Sequence, residues 1–353
     1  MAGNGLEAGC EVIISSDSHV MEPPEILKER APAAFKDKVP VLPKIEVGKS
    51  FQTHPGGSDP GSRIKEMETD GVSAEVLFPT QMLRHYAMDD AKLQEVCFRA
   101  YNDWLIDYCA VSPKRLVGAA AISMYDADHA VEELERCAKA GLRGSLIWQA
   151  PHADLPFKSE HYEKFWAASQ DLNMPVHLHI LTGHGYHKDS VFGNKRIGVE
   201  AYRGSVNLKL QEIINAFFEL IFYGVLERYP KLKFVCVENE IGWMPFMLQQ
   251  WDYYWNRFKN ENPIAITKNP SEYFTGQVFG TFFRDTVAGH NFDWWGQDNC
   301  MWSNDFPHAN STWPDSKKYI HRDLGHLPAE IKKKLVYTNV KNLYDLDIPH
   351  PVQ

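Results

Sequence analysis

The sequence predicts an α/β protein, a closed (β/α)8 barrel, and three observations support this fold class. Short apolar segments rich in β-formers alternate with longer helical patterns along the 353 residues, which is typical of a parallel sheet built from βα units. About eight such strands are present, the number that a barrel of this kind needs to close. Residues of metal-binding type follow several strands, at the end where barrel enzymes place their sites.

The predicted strands are short and apolar, and several are followed by Pro, Gly or polar residues, as expected where loops build a site. The strands are predicted at Glu11–Ser16, Ala74–Pro79, Leu116–Ile122, Gly144–Trp148, Val176–Ile180, Lys233–Val237, Val278–Phe283 and Cys300–Ser303. Helical patterns lie between them at Asp90–Val111, Asp128–Ala140, His161–Asn173, Asn207–Tyr229, Met244–Phe258 and Ala329–Val336.

A long insertion follows the first strand. Residues 21–62 are rich in Pro and Gly and form too long a segment for a plain βα loop. We expect a lid or a subunit-contact arm here rather than a separate domain. Because barrels of this length routinely form one unit, the whole chain, 1–353, is predicted to be a single domain.

Composition narrows the classes of function. Hydrophobic residues make up 44% and charged residues 24%, as in ordinary soluble enzymes. A formal net charge of −9 without a dense basic tract disfavours nucleic-acid and anionic-membrane partners. The sequence has neither a signal-peptide pattern nor an apolar run long enough to span a membrane. Six cysteines without CxxC spacing indicate buried free thiols in a reducing compartment, so we expect a cytoplasmic protein.

Three predicted strands end in metal-binding types of residue. The first carries Asp17 and His19 two positions apart, which puts both side chains on one face; a surface Asp with a capping His is the alternative. The fifth carries His177 and His179, of which the deeper His177 is expected in the core or in a supporting role. Asp305 follows the eighth. Together these positions predict a metal site at the barrel mouth.

These residues resemble the amidohydrolase superfamily, in the branch that contains aminocarboxymuconate-semialdehyde decarboxylase and the resorcylate-type decarboxylases. The resemblance covers most of the chain and also rests on Met21-Glu22-Pro23-Pro24, Glu238–Pro245 and Ser303–His308. It implies a barrel of the amidohydrolase type with its metal at the mouth. The family's ligand positions map onto Asp17, His19, His179 and Asp305.

The chain departs from the family pattern at two places. The leading His-x-His of the family is Asp-x-His here, and the sixth strand ends in Glu238, where the family usually has a His that acts as ligand or as acid and base. A decarboxylase or hydrolase that needs this His would be impaired. No Lys is present at the end of the fourth strand (Gly144–Gln149), where some binuclear members carry a carbamylated Lys.

A further carboxylate, Glu75, lies inside the apolar second strand, which is costly unless it is paired or metal-bound; an ion pair with a Lys or Arg is the alternative. With it, the candidates match the four carboxylates and two histidines of di-iron and di-manganese proteins. An oxygen-rich set favours Fe or Mn over Zn, although Zn stays possible. The complete candidate set is Asp17, His19, Glu75, His179, Glu238 and Asp305.

This set resembles that of the amidohydrolase-related non-haem dinuclear monooxygenases. The resemblance implies two divalent metals, O₂, electrons from a ferredoxin or Rieske protein, and a homo- or hetero-oligomer with a related subunit. The substrate would be a small organic molecule, with an amino acid such as 2-aminoisobutyrate among the candidates. The alternative is a mononuclear metal-dependent decarboxylase or hydrolase of a small carboxylated substrate, with Glu238 as a base or a structural residue. A third hypothesis, a catalytically silent subunit, conflicts with the intact ligand set.

Loops at the strand ends supply secondary candidates. His308 could orient Asp305. His184 and His187 follow the fifth strand, where one could orient substrate or move protons; a plain loop role is the alternative. Candidates for lining the substrate pocket are Arg84, His85 and Tyr86.

Overall fold

An eight-stranded parallel sheet organises the chain in a computed structural model that describes residues 12–43, 54–185 and 198–348. The strands lie side by side in chain order, each parallel to the next. This arrangement confirms the predicted (β/α)8 barrel. The strands are β1 Ile14–His19, β2 Ala74–Phe78, β3 Leu116–Ala121, β4 Gly144–Ile147, β5 Val176–His179, β6 Phe234–Val237, β7 Val278–Phe282 and β8 Cys300–Trp302.

The first and last strands meet at the carboxyl end of the barrel. The Asp305 amide donates to the Asp17 carbonyl at 3.0 Å, and the His19 amide donates to the Phe306 carbonyl at 2.6 Å. The Ser16 hydroxyl donates to the Trp302 carbonyl at 3.0 Å. Closure therefore places the ends of β1 and β8 next to each other.

Helices follow most strands, and several begin at an aspartate that caps them. The carboxylates of Asp59, Asp90 and Asp126 accept hydrogen bonds from backbone amides of the first helical turn. The predicted helix Asn207–Tyr229 is divided, because Gly224 has a φ of 74°. The α-helices are Ile26–Arg30, Pro60–Asp70, Ala91–Ala110, Ala127–Lys139, Glu163–Asp171, Val199–Arg203, Lys209–Phe222, Val225–Arg228, Met244–Phe258, Pro270–Gln277, Thr286–Asn291, Ser316–Leu324, Ala329–Lys333 and Asn339–Leu343.

The first strand differs from its prediction. It was expected at Glu11–Ser16, but β1 continues to His19, because Ser18 and His19 still pair with β2 after a register irregularity. The two ligand-type residues of this strand are therefore held by the sheet and not by a loop.

Part of the predicted insertion, residues 44–53, lies outside the described residues. Its start is anchored by the buried Glu22 carboxylate, which accepts hydrogen bonds from the amides of Thr80, Gln81 and Met82. The role of residues 21–62 as a lid or subunit-contact arm stays a prediction.

The barrel interior is tightly packed. Seven of the strands are buried at every position, and β7 at all but one. His177 belongs to this interior, where its ring contacts the Ser145 carbonyl and the Tyr344 hydroxyl. The five cysteines within the described ranges are buried and free, as expected. Among the helices described, none combines the length and apolar content needed to cross a membrane.

Candidate metal centre

Four strand ends bring five ligand-type side chains together at the barrel mouth. His19 Nε2 lies 3.5 Å from both Asp17 Oδ1 and Asp305 Oδ1. His179 Nε2 lies 3.8 Å from Asp17 Oδ1 and 3.6 Å from Glu238 Oε2. Ligands about 2.0–2.1 Å from a tetrahedral cation are about 3.4 Å apart, so each of these pairs is close enough to share an ion. Two overlapping groups of donors arise, one with Asp17 and His179 and one with Asp305 and His308, and both contain His19 and Glu238.

His19 and His179 both leave Nε2 available as a ligand atom. His19 Nδ1 lies 2.8 Å from the Pro79 carbonyl and His179 Nδ1 lies 2.9 Å from the Ile180 carbonyl. A carbonyl oxygen only accepts, so each Nδ1 carries the proton and each Nε2 keeps a free lone pair. Both rings thus direct Nε2 toward the carboxylates.

A divalent cation fits this centre, because the site is otherwise unsatisfied. Both carboxylate oxygens of Asp17, Oδ1 of Asp305 and Nε2 of His19 and His179 are buried without a hydrogen-bond partner in the described structure. Buried polar atoms normally find partners, since leaving one unpaired is costly. A cation bound at the barrel mouth would give these five atoms a partner.

The electrostatics lead to the same conclusion. Burial, and then the Asp17 carboxylate, raise the pKa of Asp305 well above its usual range. Burial, and then the Asp305 carboxylate, raise the pKa of Glu238. Burial, with His308 and His179 nearby, lowers the pKa of His19. Added positive charge would stabilise the ionised forms of these crowded carboxylates.

Two of the acidic residues have backbones in the left-handed region. Glu238 has a φ of 56° and Asp305 a φ of 53°, conformations that non-glycine residues seldom adopt. The Glu238 amide donates to Thr281 Oγ1 at 3.0 Å, which helps to hold this turn. Such backbone strain concentrates at functional sites, where the surrounding structure fixes it.

His308 lies beside the centre, as expected. Its Nδ1 is 2.9 Å from Asp305 Oδ1 but is not aligned for a hydrogen bond to it, and its ring stacks on His19 with centroids 3.9 Å apart. Its Nε2 lies 3.1 Å from Thr80 Oγ1. The involvement of Thr80 was not predicted, since a threonine after a strand carries no distinguishing signal.

Glu75 does not join the centre, which corrects the six-ligand set. Its Oε2 accepts a hydrogen bond from Arg63 Nε at 2.5 Å, and its Oε1 accepts one from Asn304 Nδ2 at 3.2 Å. The residue pairs with Ser15 in the sheet, whereas His19 pairs with Phe78 nearer the mouth. Glu75 is therefore too deep, and the buried ion pair, the alternative considered above, accounts for its position.

The remaining candidates lie away from the central carboxylates. His184 contacts Tyr125 and Asp89 instead, and His187 lies outside the described residues. Tyr86 is a core residue rather than a pocket wall, because its hydroxyl donates to the Leu146 carbonyl and its ring packs on Phe98. Arg84 is exposed, and His85 contacts the Gln81 carbonyl.

Comparison with known proteins gives a consistent result. Residues 17–346 match the family described as Amidohydrolase. Gamma-resorcylate decarboxylase of Rhodococcus jostii (strain RHA1) is 28% identical over 305 residues, 81% of this chain and 87% of that protein. The protein of the same name from Polaromonas sp. is 25% identical over 310 residues, again 81% and 87%.

Solved structures share the fold. An amidohydrolase from Mycobacterium avium subsp. paratuberculosis has a TM-score of 0.76 at 18% identity, covering 94% of this chain and 98% of that one. A dihydroxybenzoic acid decarboxylase from Polaromonas sp. JS666, with bound manganese and the inhibitor 2-nitroresorcinol, has a TM-score of 0.69 at 18% identity, covering 97% and 98%.

These relatives overturn the predicted dinuclear iron or manganese monooxygenase. The curated proteins that match most of the chain are decarboxylases, so the alternative prediction was the better one. The O₂ and the ferredoxin or Rieske donor were implied only by the oxygenase and are withdrawn with it. The error came from counting Glu75 as a fourth carboxylate ligand, although Arg63 neutralises it. By its fold, its metal-binding strand ends and a family match over nearly its whole length, this chain belongs to the amidohydrolase family.

Proposed function

We propose that this protein is a metal-dependent decarboxylase of a small carboxylated aromatic substrate. The observation that carries the proposal is the group of five unpartnered buried polar atoms at the barrel mouth. The likeness to gamma-resorcylate decarboxylases over 81% of the chain supports the reaction class. The proposal also covers hydrolysis of a carboxylated substrate as the less favoured chemistry.

The proposed cofactor is one divalent cation held by Asp17, His19, His179 and Asp305. Two imidazoles and two carboxylates suit manganese, iron or zinc, and manganese is favoured because a structural relative binds it. Two ionised aspartates neutralise one divalent charge. A second ion would compete for His19, whose Nδ1 is occupied by the Pro79 carbonyl, leaving only Nε2 for both donor groups.

In this proposal Glu238 is the proton donor. Decarboxylation replaces a C–COO⁻ bond by C–H, so a proton must reach the carbon that loses CO₂. The cation, when bound, supplies positive charge that holds the oxygen atoms of the substrate. The Glu238 carboxyl group lies 3.6 Å from His179 Nε2, beside the proposed ion, where it can pass a proton to the substrate carbon, and the 14% exposure of its side chain lets solvent reprotonate it.

Cationic side chains near the centre are proposed to attract the substrate carboxylate. Burial, then Asp17, raise the pKa of Asp305, whereas the charges of Arg284 and Lys209 act to lower it. Their fields therefore reach the place where an anionic substrate would bind. Arg84, His85 and the segment after β5 stay as less direct candidates for the pocket wall.

Two further parts of the proposal concern the molecule as a whole. A cytoplasmic location is supported by the buried free thiols. An oligomer, formed with itself or with a related subunit, is supported by the exposed aromatic rings of the helix Met244–Phe258. These rings belong to Phe246, Tyr253, Tyr254 and Phe258.

The test combines metal analysis with a decarboxylation assay. Protein freed of metal by a chelator is reloaded separately with manganese, iron, zinc or magnesium, and metal per chain is measured by elemental analysis. Each form is then incubated with 2,6-dihydroxybenzoate and 5-carboxyvanillate, and CO₂ release is followed. We expect about one ion per chain and turnover that depends on it.

Deuterated solvent makes the assay specific for the proposed step, because deuterium should appear on the carbon that carried the carboxylate. Two ions per chain would support the dinuclear centre that the sequence suggested. Absence of CO₂ release from every substrate and every metal-loaded form would reject the decarboxylase.

A further inference from the structure

We propose that Asp89, His152 and His184 form a second site for a divalent transition metal of the zinc type. We call this group the outer site. It shares no residue with the candidate metal centre, and the proposal does not depend on the reaction catalysed there.

The donors of the outer site already lie close together. One ligand atom from each of the three residues falls within 4.8 Å of the other two. His184 Nε2 is 3.3 Å from Asp89 Oδ1, about the ligand separation of a tetrahedral zinc ion. The two imidazole rings meet edge to face with centroids 4.9 Å apart. A small movement of the exposed Asp89 and the half-buried His152 would complete the geometry.

The fold brings two of these loops together by a close backbone contact. Ala150 and Gly183 form a β-bridge, and the His184 amide donates to the Ala150 carbonyl at 2.7 Å. A Cβ on Gly183 would lie 1.9 Å from that carbonyl oxygen, so only glycine permits this approach. His152 and His184 therefore lie on adjacent loop segments, two residues after Ala150 and one residue after Gly183.

The third loop is tied to the same place by Tyr125. Its hydroxyl donates to the Met88 carbonyl at 2.6 Å, which holds the residue before Asp89. Because the Tyr125 hydroxyl donates its proton to Met88, its oxygen acts as the acceptor toward His184 Nε2, which lies 3.0 Å away. In the metal-free protein one Nε2 proton lies between Asp89 and Tyr125, and a cation can replace it.

The donor chemistry selects the class of ion. Two imidazoles and one carboxylate form the set of three protein ligands found with zinc when a fourth position is left for water. Imidazole-rich sites favour Zn, Ni and Cu over Mg and Ca. The Asp154 amide donates to His152 Nδ1 at 3.2 Å, which fixes the orientation of that ring. The side chain of His184 is 7% exposed and that of Asp89 is 68% exposed. The ion would therefore bind a buried ligand on one side and face solvent on the other.

The outer site is tested by counting zinc on tag-free, manganese-loaded enzyme. Protein is dialysed to equilibrium against micromolar zinc, and both metals are measured per chain. Wild type should bind one zinc more than His152→Ala, whatever exchange occurs at the centre. Asp89→Asn, at a mostly exposed position, should weaken this zinc by about tenfold or more.

Two controls make the result specific. His129→Ala removes a surface histidine that is paired with Glu95 and should leave the zinc count unchanged. His179→Ala should lose the central ion and keep the outer zinc, which shows that the two sites are independent. Circular dichroism confirms that each variant is folded.

Equal zinc binding by wild type, His152→Ala and Asp89→Asn would overturn the outer site. Loss of the extra zinc in His129→Ala would also overturn it, since that result would mean non-specific binding by surface histidines.

Discussion

At the scale of single residues, Glu238 marks a departure from the pattern that the family resemblance implies. It stands at the end of β6, where the family resemblance leads us to expect a histidine, and its Oε2 lies 3.6 Å from His179 Nε2. Both a buried carboxyl group and an imidazole can carry a proton near neutral pH when the environment shifts the pKa. In the proposed mechanism, a carboxyl group therefore takes over the proton transfer that an imidazole would carry out.

Glu238→Gln should lower decarboxylation by about 10²-fold or more, while metal content stays at the wild-type level. The amide keeps the shape of the side chain but cannot release a proton. Turnover and metal per chain are measured on the same samples. Glu240→Gln, two residues along the same turn, is the matched control and should have a much smaller effect. Loss of metal from Glu238→Gln would instead make Glu238 a ligand.

At the scale of elements, Arg63 joins the helix Pro60–Asp70 to three strands. Its Nε pairs with Glu75 of β2, and its Nη1 donates to the His19 carbonyl of β1 at 2.7 Å. Its guanidinium lies over the Phe306 ring, just after β8, at 4.6 Å. Asn304 extends the contact, because it donates to Glu75 and accepts from Ser15 and Ser18. This buried network fixes the relative positions of the strands that carry the metal ligands.

Glu75→Gln should reduce the free energy of unfolding by about 3–5 kcal/mol, because it leaves the Arg63 charge buried without its partner. Metal per chain, measured in the same preparation, should not change, since Arg63 and Asn304 occupy this carboxylate. Urea unfolding provides the stability measurement.

The double variant Arg63→Met with Glu75→Gln is the control for that experiment. It removes both charges, so it should recover part of the lost stability. A Glu75→Gln protein that keeps its stability but loses metal would return Glu75 to the ligand set.

At the scale of the whole molecule, the barrel mouth concentrates buried acids. Burial, and then the Asp285 carboxylate, raise the pKa of Glu240 to about 8, and the pKa values of Glu238 and Asp305 are raised as well. In an unfolded chain these groups would titrate near their ordinary values, so the metal-free folded state holds more protons at neutral pH. Stability then falls as pH rises.

The metal-free protein should therefore lose stability between pH 6.5 and 8, by about 1 kcal/mol per pH unit for each such carboxyl group. Burial lowers the pKa of His308 to about 4, so this residue makes stability rise with pH, but only below the ordinary pKa of histidine. The pH range of the experiment therefore starts at 6.5, above that contribution. Urea unfolding of chelated protein at both pH values measures the loss.

Manganese-loaded protein should show a flatter dependence on pH, because the cation stabilises the ionised carboxylates. Glu240→Gln removes one of the titrating groups and should reduce the slope in the metal-free form. A metal-free protein whose stability rises from pH 6.5 to 8 would contradict this account.

The sequence by itself determined the barrel and predicted most of the candidate metal centre. Strand periodicity and spacing depend on local hydrophobic order, which is written along the chain. Residues at the ends of parallel strands must meet at one edge of the barrel. Asp17, His19, His179, Glu238 and Asp305 could therefore be named before the structure, and they do converge.

Only the tertiary structure decided the partners of buried charges. Glu75 satisfies the same sequence pattern as a ligand, and its pairing with Arg63, 12 residues away on a helix, depends on how helix and sheet pack. Likewise, Asp89, His152 and His184 come from three separate loops, joined by the contact between Ala150 and Gly183. These contacts depend on the distances between segments that are far apart in the chain, and local sequence patterns do not encode those distances.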